Sequence, residues 1–131
     1  MIVVDASVLV NAVGDDGADG AHARAALAGQ EVSVPDLVDV EVVSVLRRRW
    51  LAKTISAHRF ATAIDDLAAL PADRYPVLPF IPRAYELRAN VSAYDATYVA
   101  LAEQLGCPVL TADSRLAAAR GPKCAITVLR L

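Results

Sequence analysis

The chain opens on Ile2–Asp5 (IVVD), a short unbroken apolar run closed by an acid. A run of that kind predicts a strand buried on both faces, as in a parallel sheet. Similar runs stand at Val32–Val34, ended by Pro35, at Pro108–Thr111 and at Ala125–Leu129. Tyr75–Phe80 (YPVLPF) reads as extended, because its prolines disfavour helix. Between these runs the apolar spacing turns helical. Helices are predicted at Ser7–Val13 up to Gly14, at the alanine-rich Ala21–Ala28 stopped by Gly29, and from Asp36 to about Lys53. Another is capped by Ser56 and runs to Leu70, where Pro71 stops it. Short helices follow near Pro82–Ala89 and at Ser114–Arg120, and a longer one lies within Asn90–Gly106. Gly14–Gly20 (GDDGADG) reads as a polar, flexible loop. Strand and helix alternate throughout. The expected fold is α/β in three layers: a mostly parallel five-stranded sheet with helices on both faces.

Composition sharpens this picture modestly. A chain of 131 residues fits one domain over residues 1–131 with a sizeable core. Aromatics are only 5% against 56% hydrophobic residues, so the core must be built from Val, Leu, Ile and Ala. The net charge of −2 gives no general basic field, so any nucleic-acid binding needs a local patch. No charged leader precedes IVVD, and no run reaches the roughly 18 apolar residues of a membrane span. A soluble, cytoplasmic protein without a membrane role is expected. Cys107 and Cys124 fit neither a disulfide framework nor a zinc motif. They read as reduced, buried thiols, or as neighbours across two adjacent strands.

In an open α/β sheet, ligands bind beyond the carboxyl ends of the strands, near a switch in strand order. Asp5 ends the first strand, and Asp113 follows Thr111 by two residues. Each also has a plain structural reading as a helix N-cap. Glu41 has apolar neighbours one helical turn away, Leu37 and Val45, while Asp36 and Asp39 are available to start its helix. A carboxylate in an apolar stripe is costly unless paired or metal-bound. Asp95 lies three residues after Ser92, the spacing of a capping box, yet it aligns with Tyr98, Val99 and Ala102. Were the four to converge, their repulsion would raise their pKa values or call for a cation. Oxygen ligands suit Mg²⁺ or Mn²⁺. His22 and His58 are isolated and read as surface residues, which speaks against zinc and against a Ser-His-Asp triad.

These residues, in this order, carry a resemblance. "VVDASVLV", "VPDLVDVEVVSVLRRR" and "YDATYVALAEQLGCPVLTADSRL" resemble the motifs of PIN-domain ribonucleases, in particular the VapC toxins of bacterial VapBC toxin–antitoxin pairs. The likeness covers nearly the whole chain. It places Asp5, Glu41, Asp95 and Asp113 on the family's four acidic positions. It implies a PIN-like fold and a Mg²⁺- or Mn²⁺-dependent endoribonuclease leaving a 5′-phosphate and a 3′-hydroxyl. It also implies a VapB-like antitoxin partner and a homodimer. Asp5, Asp95 and Asp113 are expected as metal ligands, with Glu41 a further ligand or an orienter of water. Ser7, Asn11, Thr111 and Ser114 lie beside the acids, as hydrogen-bonders behind them or as helix caps. Arg47, Arg48 and Arg115 are the candidate RNA contacts, with a solvated helix end as the plain reading of the arginine run. Ser44 departs from the family, in which Asn is frequent at that position. The surplus of apolar residues between Leu37 and Leu70 reads as an interface with a second copy or an antitoxin. Two alternatives remain at this point: a receiver-like phosphoacceptor domain, and a degenerate PIN domain that only binds protein.

Overall fold

The computed structural model describes residues 1–131. Its strands are β1 (Ile2–Val4), β2 (Val32–Pro35), β3 (Ala72–Tyr75), β4 (Val109–Thr111) and β5 (Ile126–Val128). Its helices are α1 (Ala6–Gly14), α2 (Ala18–Leu27), α3 (Val38–Leu51), α4 (Ala57–Ala69), α5 (Ile81–Glu86), α6 (Ala93–Leu105) and α7 (Ser114–Ala118). The strands join in the order β3-β2-β1-β4-β5, every pair parallel. The sheet is thus wholly parallel, where the sequence suggested mostly parallel. A receiver-like sheet would set β1 between β2 and β3. Here β1 lies between β2 and β4, so that arrangement is excluded.

The apolar runs behave as their composition dictates. Val3, Val4, Val34 and Val109 have no exposed surface, and they sit in a single core of 29 buried hydrophobic residues. Helix α6 lies on β1, β2 and β4 with α5 packed on it, while α1 packs against α2, α3, α4 and β4. Residues Ala96–Ala102 are all buried, so α6 is an interior helix and not an amphipathic one. It ends at Gly106, whose φ of 66° is the left-handed cap that glycine accepts without strain.

Three boundaries differ from the sequence reading. The third strand is Ala72–Tyr75 (ADRY) and not Tyr75–Phe80. It is the sheet edge beside β2, where an exposed strand needs no apolar pattern. Leu78–Phe80 instead forms a 3-10 turn that buries Phe80. Part of the expected Gly14–Gly20 loop is helical, because Asp15 Oδ1 accepts the N–H groups of Gly17 (2.7 Å) and Gly20 (3.2 Å) and seeds α2. Helix α3 begins at Val38 without a side-chain cap. Asp39 lies in the first turn without capping it; its carboxylate pairs with Arg74 of β3 through two bonds of 2.7 and 3.0 Å. His22 and His58 are exposed, as expected. Cys107 and Cys124 are half-buried free thiols.

One ion pair ties α5, α6 and the approach to β5. Arg83 Nε and Nη2 donate to Glu103 Oε1 and Oε2 at 2.8 and 3.1 Å, and Glu103 Oε2 also accepts the Lys123 N–H at 2.7 Å. Desolvation pushes the Glu103 pKa up, but the bonds from Arg83 and Lys123 outweigh it and leave the carboxyl below its ordinary 4.5. The unfolded chain then binds more protons between the two values, so this stabilisation is complete above pH 4.5 and is lost as pH falls through the folded value. Glu103→Gln is expected to cost about 1–2 kcal/mol at neutral pH. Urea unfolding across a pH series should show that the difference from wild type shrinks on the acid side.

Candidate active site

The strand order switches at β1 and β4, and the candidate acids gather beyond their carboxyl ends. Asp5 follows β1 directly and is 5% exposed. It is the N-cap of α1, with Oδ1 accepting the Ser7 N–H at 3.0 Å and the Ser7 hydroxyl as well. Its Oδ2 accepts the Thr111 hydroxyl at 2.5 Å. The same two hydroxyls accept from the backbone after β4: Ser7 Oγ takes the Ala112 N–H at 2.9 Å, and Thr111 Oγ1 takes the Asp113 N–H at 3.0 Å. Side chains from both strand ends are therefore knitted around one carboxylate.

Asp95 stands in the first turn of α6. Ser92 Oγ accepts its N–H at 3.1 Å, which caps the helix. The Asp95 carboxylate does not close the box onto the Ser92 N–H; it lines an open cleft of about 670 Å³. Glu41 reaches that cleft from α3, where its Oε1 accepts the Tyr98 hydroxyl at 2.5 Å. Asp113 is the N-cap of α7, accepting the Arg115 N–H at 2.9 Å. Its two oxygens are also gripped by the Arg115 guanidinium, at 3.1 and 3.0 Å. Asp5, Glu41, Asp95 and Asp113 all line the one cleft, with Arg48 and Arg115. Both readings of Asp5 and Asp113 thus hold at once: each caps a helix and each borders the cleft.

Their electrostatics divide three against one. Burial raises the pKa of Asp5 against the pull of Ser7 and Thr111. Burial raises Glu41 despite the Tyr98 bond, and the charges of Asp95 and Asp5 add to it. Burial and then the Asp5 charge raise Asp95, more than Ser92 and Arg115 lower it. Asp113 alone is lowered, by its bonds from Arg115. Three carboxylates are thus held in a place that disfavours their charge. All the donors are oxygens, the set that hard divalent ions take. As arranged, no three His, Cys, Asp or Glu side chains stand close enough together to form a finished metal site.

The flanking candidates separate. Ser7 and Thr111 bond Asp5 directly. Asn11 makes no hydrogen bond to the four acids; its Nδ2 donates to the Ser7 carbonyl at 3.2 Å, and its Oδ1 accepts from Arg49 at 3.4 Å. Ser114 is exposed at the start of α7 and borders neither the cleft nor an acid's hydrogen bonds. Arg48 faces the cleft, whereas Arg47 is exposed elsewhere on α3. Sequence reasoning missed two features. Tyr98, 1% exposed, is the donor that holds Glu41, and burial followed by that contact keeps its phenol far above its ordinary pKa. Its position three residues after Asp95 was the available signal. The closed pair Arg115–Asp113 was the other. A separate apolar hollow of about 300 Å³ lies on Trp50, Phe60 and Ile64, between α3 and α4.

The PIN domain family model matches residues 2–122. Ribonuclease VapC9 of Mycobacterium tuberculosis is 44% identical over 129 residues, covering 98% of each chain. Ribonuclease VapC1 of the same organism is also 44% identical over 129 residues, covering 98% of this chain and 97% of that one. In three dimensions a toxin–antitoxin complex from Klebsiella pneumoniae superposes with a TM-score of 0.71 at 14% identity, over 99% of this chain and 98% of the other.

The raised Asp95 predicts a stability cost. Between 3.8 and its folded pKa the folded protein binds the extra proton, so stability falls as pH rises through that window. Asp95→Asn removes the penalty. Metal-free Asp95→Asn should be more stable than wild type at neutral pH, by about 0.5–2 kcal/mol. Thermal melts at several pH values should show the gain disappear towards pH 3.8.

Proposed function

The chain belongs to the PIN-domain family, among its VapC ribonucleases, and from that membership we propose that it hydrolyses RNA with a divalent ion held by the carboxylates of the cleft. The observation that carries the reading is the meeting of Asp5, Glu41, Asp95 and Asp113 on one cleft at the carboxyl ends of β1 and β4. Asp5, Asp95 and Asp113 would hold Mg²⁺ or Mn²⁺, with Glu41 completing the set or facing the attacking water. A bound ion of this kind polarises a phosphoryl oxygen and makes water a stronger nucleophile at neutral pH. Asp5 is the fixed point, because Ser7 and Thr111 hold both of its oxygens. Tyr98 fixes one oxygen of Glu41, which leaves the other to accept the proton that water loses. Water would add to phosphorus as the bond to the 3′-oxygen breaks, the departing oxygen taking a proton from solvent, so that the products carry a 5′-phosphate and a 3′-hydroxyl. Arg48 and Arg115 line the cleft and would meet RNA phosphates there, whereas Arg47, exposed outside the cleft, would meet the strand farther along.

The same reading makes the protein a cytoplasmic toxin restrained by a VapB-like antitoxin and active as a homodimer. No helix is long and apolar enough to cross a membrane. The hollow on Trp50 and Phe60 offers an apolar face beyond the needs of the core, with Trp50 43% exposed. Val40, 73% exposed, adds apolar surface on α3 beside Glu41, on the lining of the cleft.

Asp5→Asn and Asp95→Asn should each lower cleavage of cellular RNA in Mg²⁺ by at least about 100-fold while leaving the circular dichroism spectrum unchanged. Millimolar Mg²⁺ should raise the melting temperature of wild type and not of the variants. Full activity in either variant contradicts the assignment. Sequencing the 5′ ends of RNA from cells expressing the protein would identify the substrate.

A further inference from the structure

Arg115 is 89% exposed, yet its guanidinium is committed to Asp113 through two parallel bonds. Its side chain makes no other hydrogen bond. It borders the main cleft and also an adjoining hollow of about 370 Å³ that reaches Asn90, so it has open space on both sides. Asp113 does not need the guanidinium to cap α7, because the Arg115 backbone N–H serves that purpose at 2.9 Å. The side-chain pair can therefore open without disturbing the helix. A guanidinium fork fits a phosphate as well as it fits a carboxylate. Asp113 Oδ1 already accepts two N–H groups and Oδ2 one, so a divalent ion taken up by Asp113 would stand beside the guanidinium, cation against cation.

We propose that Arg115 is a positioning residue that trades anions: it covers Asp113 in the free protein and moves to a phosphate of the bound strand once Asp113 turns to the ion. The inference rests on the metal-dependent reading above and adds an order of events to it. Charge keeps the exchange balanced. Asp113 gains a cation as it loses one, and the released guanidinium gains a phosphate. The free protein is thereby spared one uncompensated carboxylate in a cleft that already holds three.

Arg115→Gln tests the trade with two binding measurements that need no turnover. The first is calorimetric titration with Mn²⁺ alone. The variant should bind Mn²⁺ more tightly than wild type, by roughly two- to fivefold, since the competitor of an exposed ion pair is gone. The second is the salt dependence of binding to a short single-stranded DNA, which offers the same phosphates without being the ribonuclease's substrate. In chelator the two proteins should show equal log–log slopes. In saturating Mn²⁺ wild type should be steeper by about 0.7, one phosphate contact on a single strand. Unchanged or weaker Mn²⁺ binding by the variant overturns the proposal, and so do equal slopes in Mn²⁺. Failure of wild type to bind Mn²⁺ at all overturns the metal-dependent reading and this inference with it, an outcome distinct from the other two.

Discussion

A carboxylate buried at the end of the central strand organises this molecule. Asp5 lies where water can hardly reach it, and an ionised group there is costly unless donors replace the lost solvent. The donors come from two places: Ser7 on the helix that follows β1, and Thr111 at the end of the neighbouring β4. The same hydroxyls then accept N–H groups from Ala112 and Asp113. Satisfying one charge thus fixes how β1 meets β4 and where the chain turns into α7. The register Val3↔Val109 and Val4↔Leu110 brings Asp5 level with Thr111 as a consequence.

The rest of the cleft follows from parallel topology. Because all the strands point one way, the helix starts after β1 and β4 arrive at one edge, together with the start of α6. Helix N-termini favour negative charge, which helps to keep acids there. It does not fully offset burial, since Asp5, Glu41 and Asp95 all hold their protons more tightly than free carboxyls do. Stability is given up at the candidate site, and α6, buried along seven consecutive residues, supplies the rigid support.

Much of this was legible in the sequence, for reasons that differ by residue. Asp5 and Asp113 could be found because each sits between an apolar run and a helix, and strand ends of that kind converge in a parallel sheet. Glu41 stood out because its helical neighbours are apolar. The third strand was misplaced because ADRY lies on the sheet edge, where solvent removes the apolar signal and pairing with β2 supplies the stabilisation. The start of α2 was hidden because Asp15 caps it from outside the helix. Tyr98 looked like core, and it is core; only its hydroxyl belongs to the site. The Arg115–Asp113 pair depends on rotamers at the first turn of a five-residue helix, which composition and spacing do not encode.

On the proposed metal-dependent reading, the cleft takes up a cation among three carboxylates disfavoured by burial and a fourth covered by an arginine. Crystals grown with Mn²⁺ and measured for anomalous scattering at the manganese edge test that view most directly. The proposed reading predicts a peak within ligand distance of Asp5, Asp95 and Asp113, with the Arg115 guanidinium turned off Asp113. An empty cleft in crystals saturated with Mn²⁺, its arginine still seated on Asp113, would contradict it.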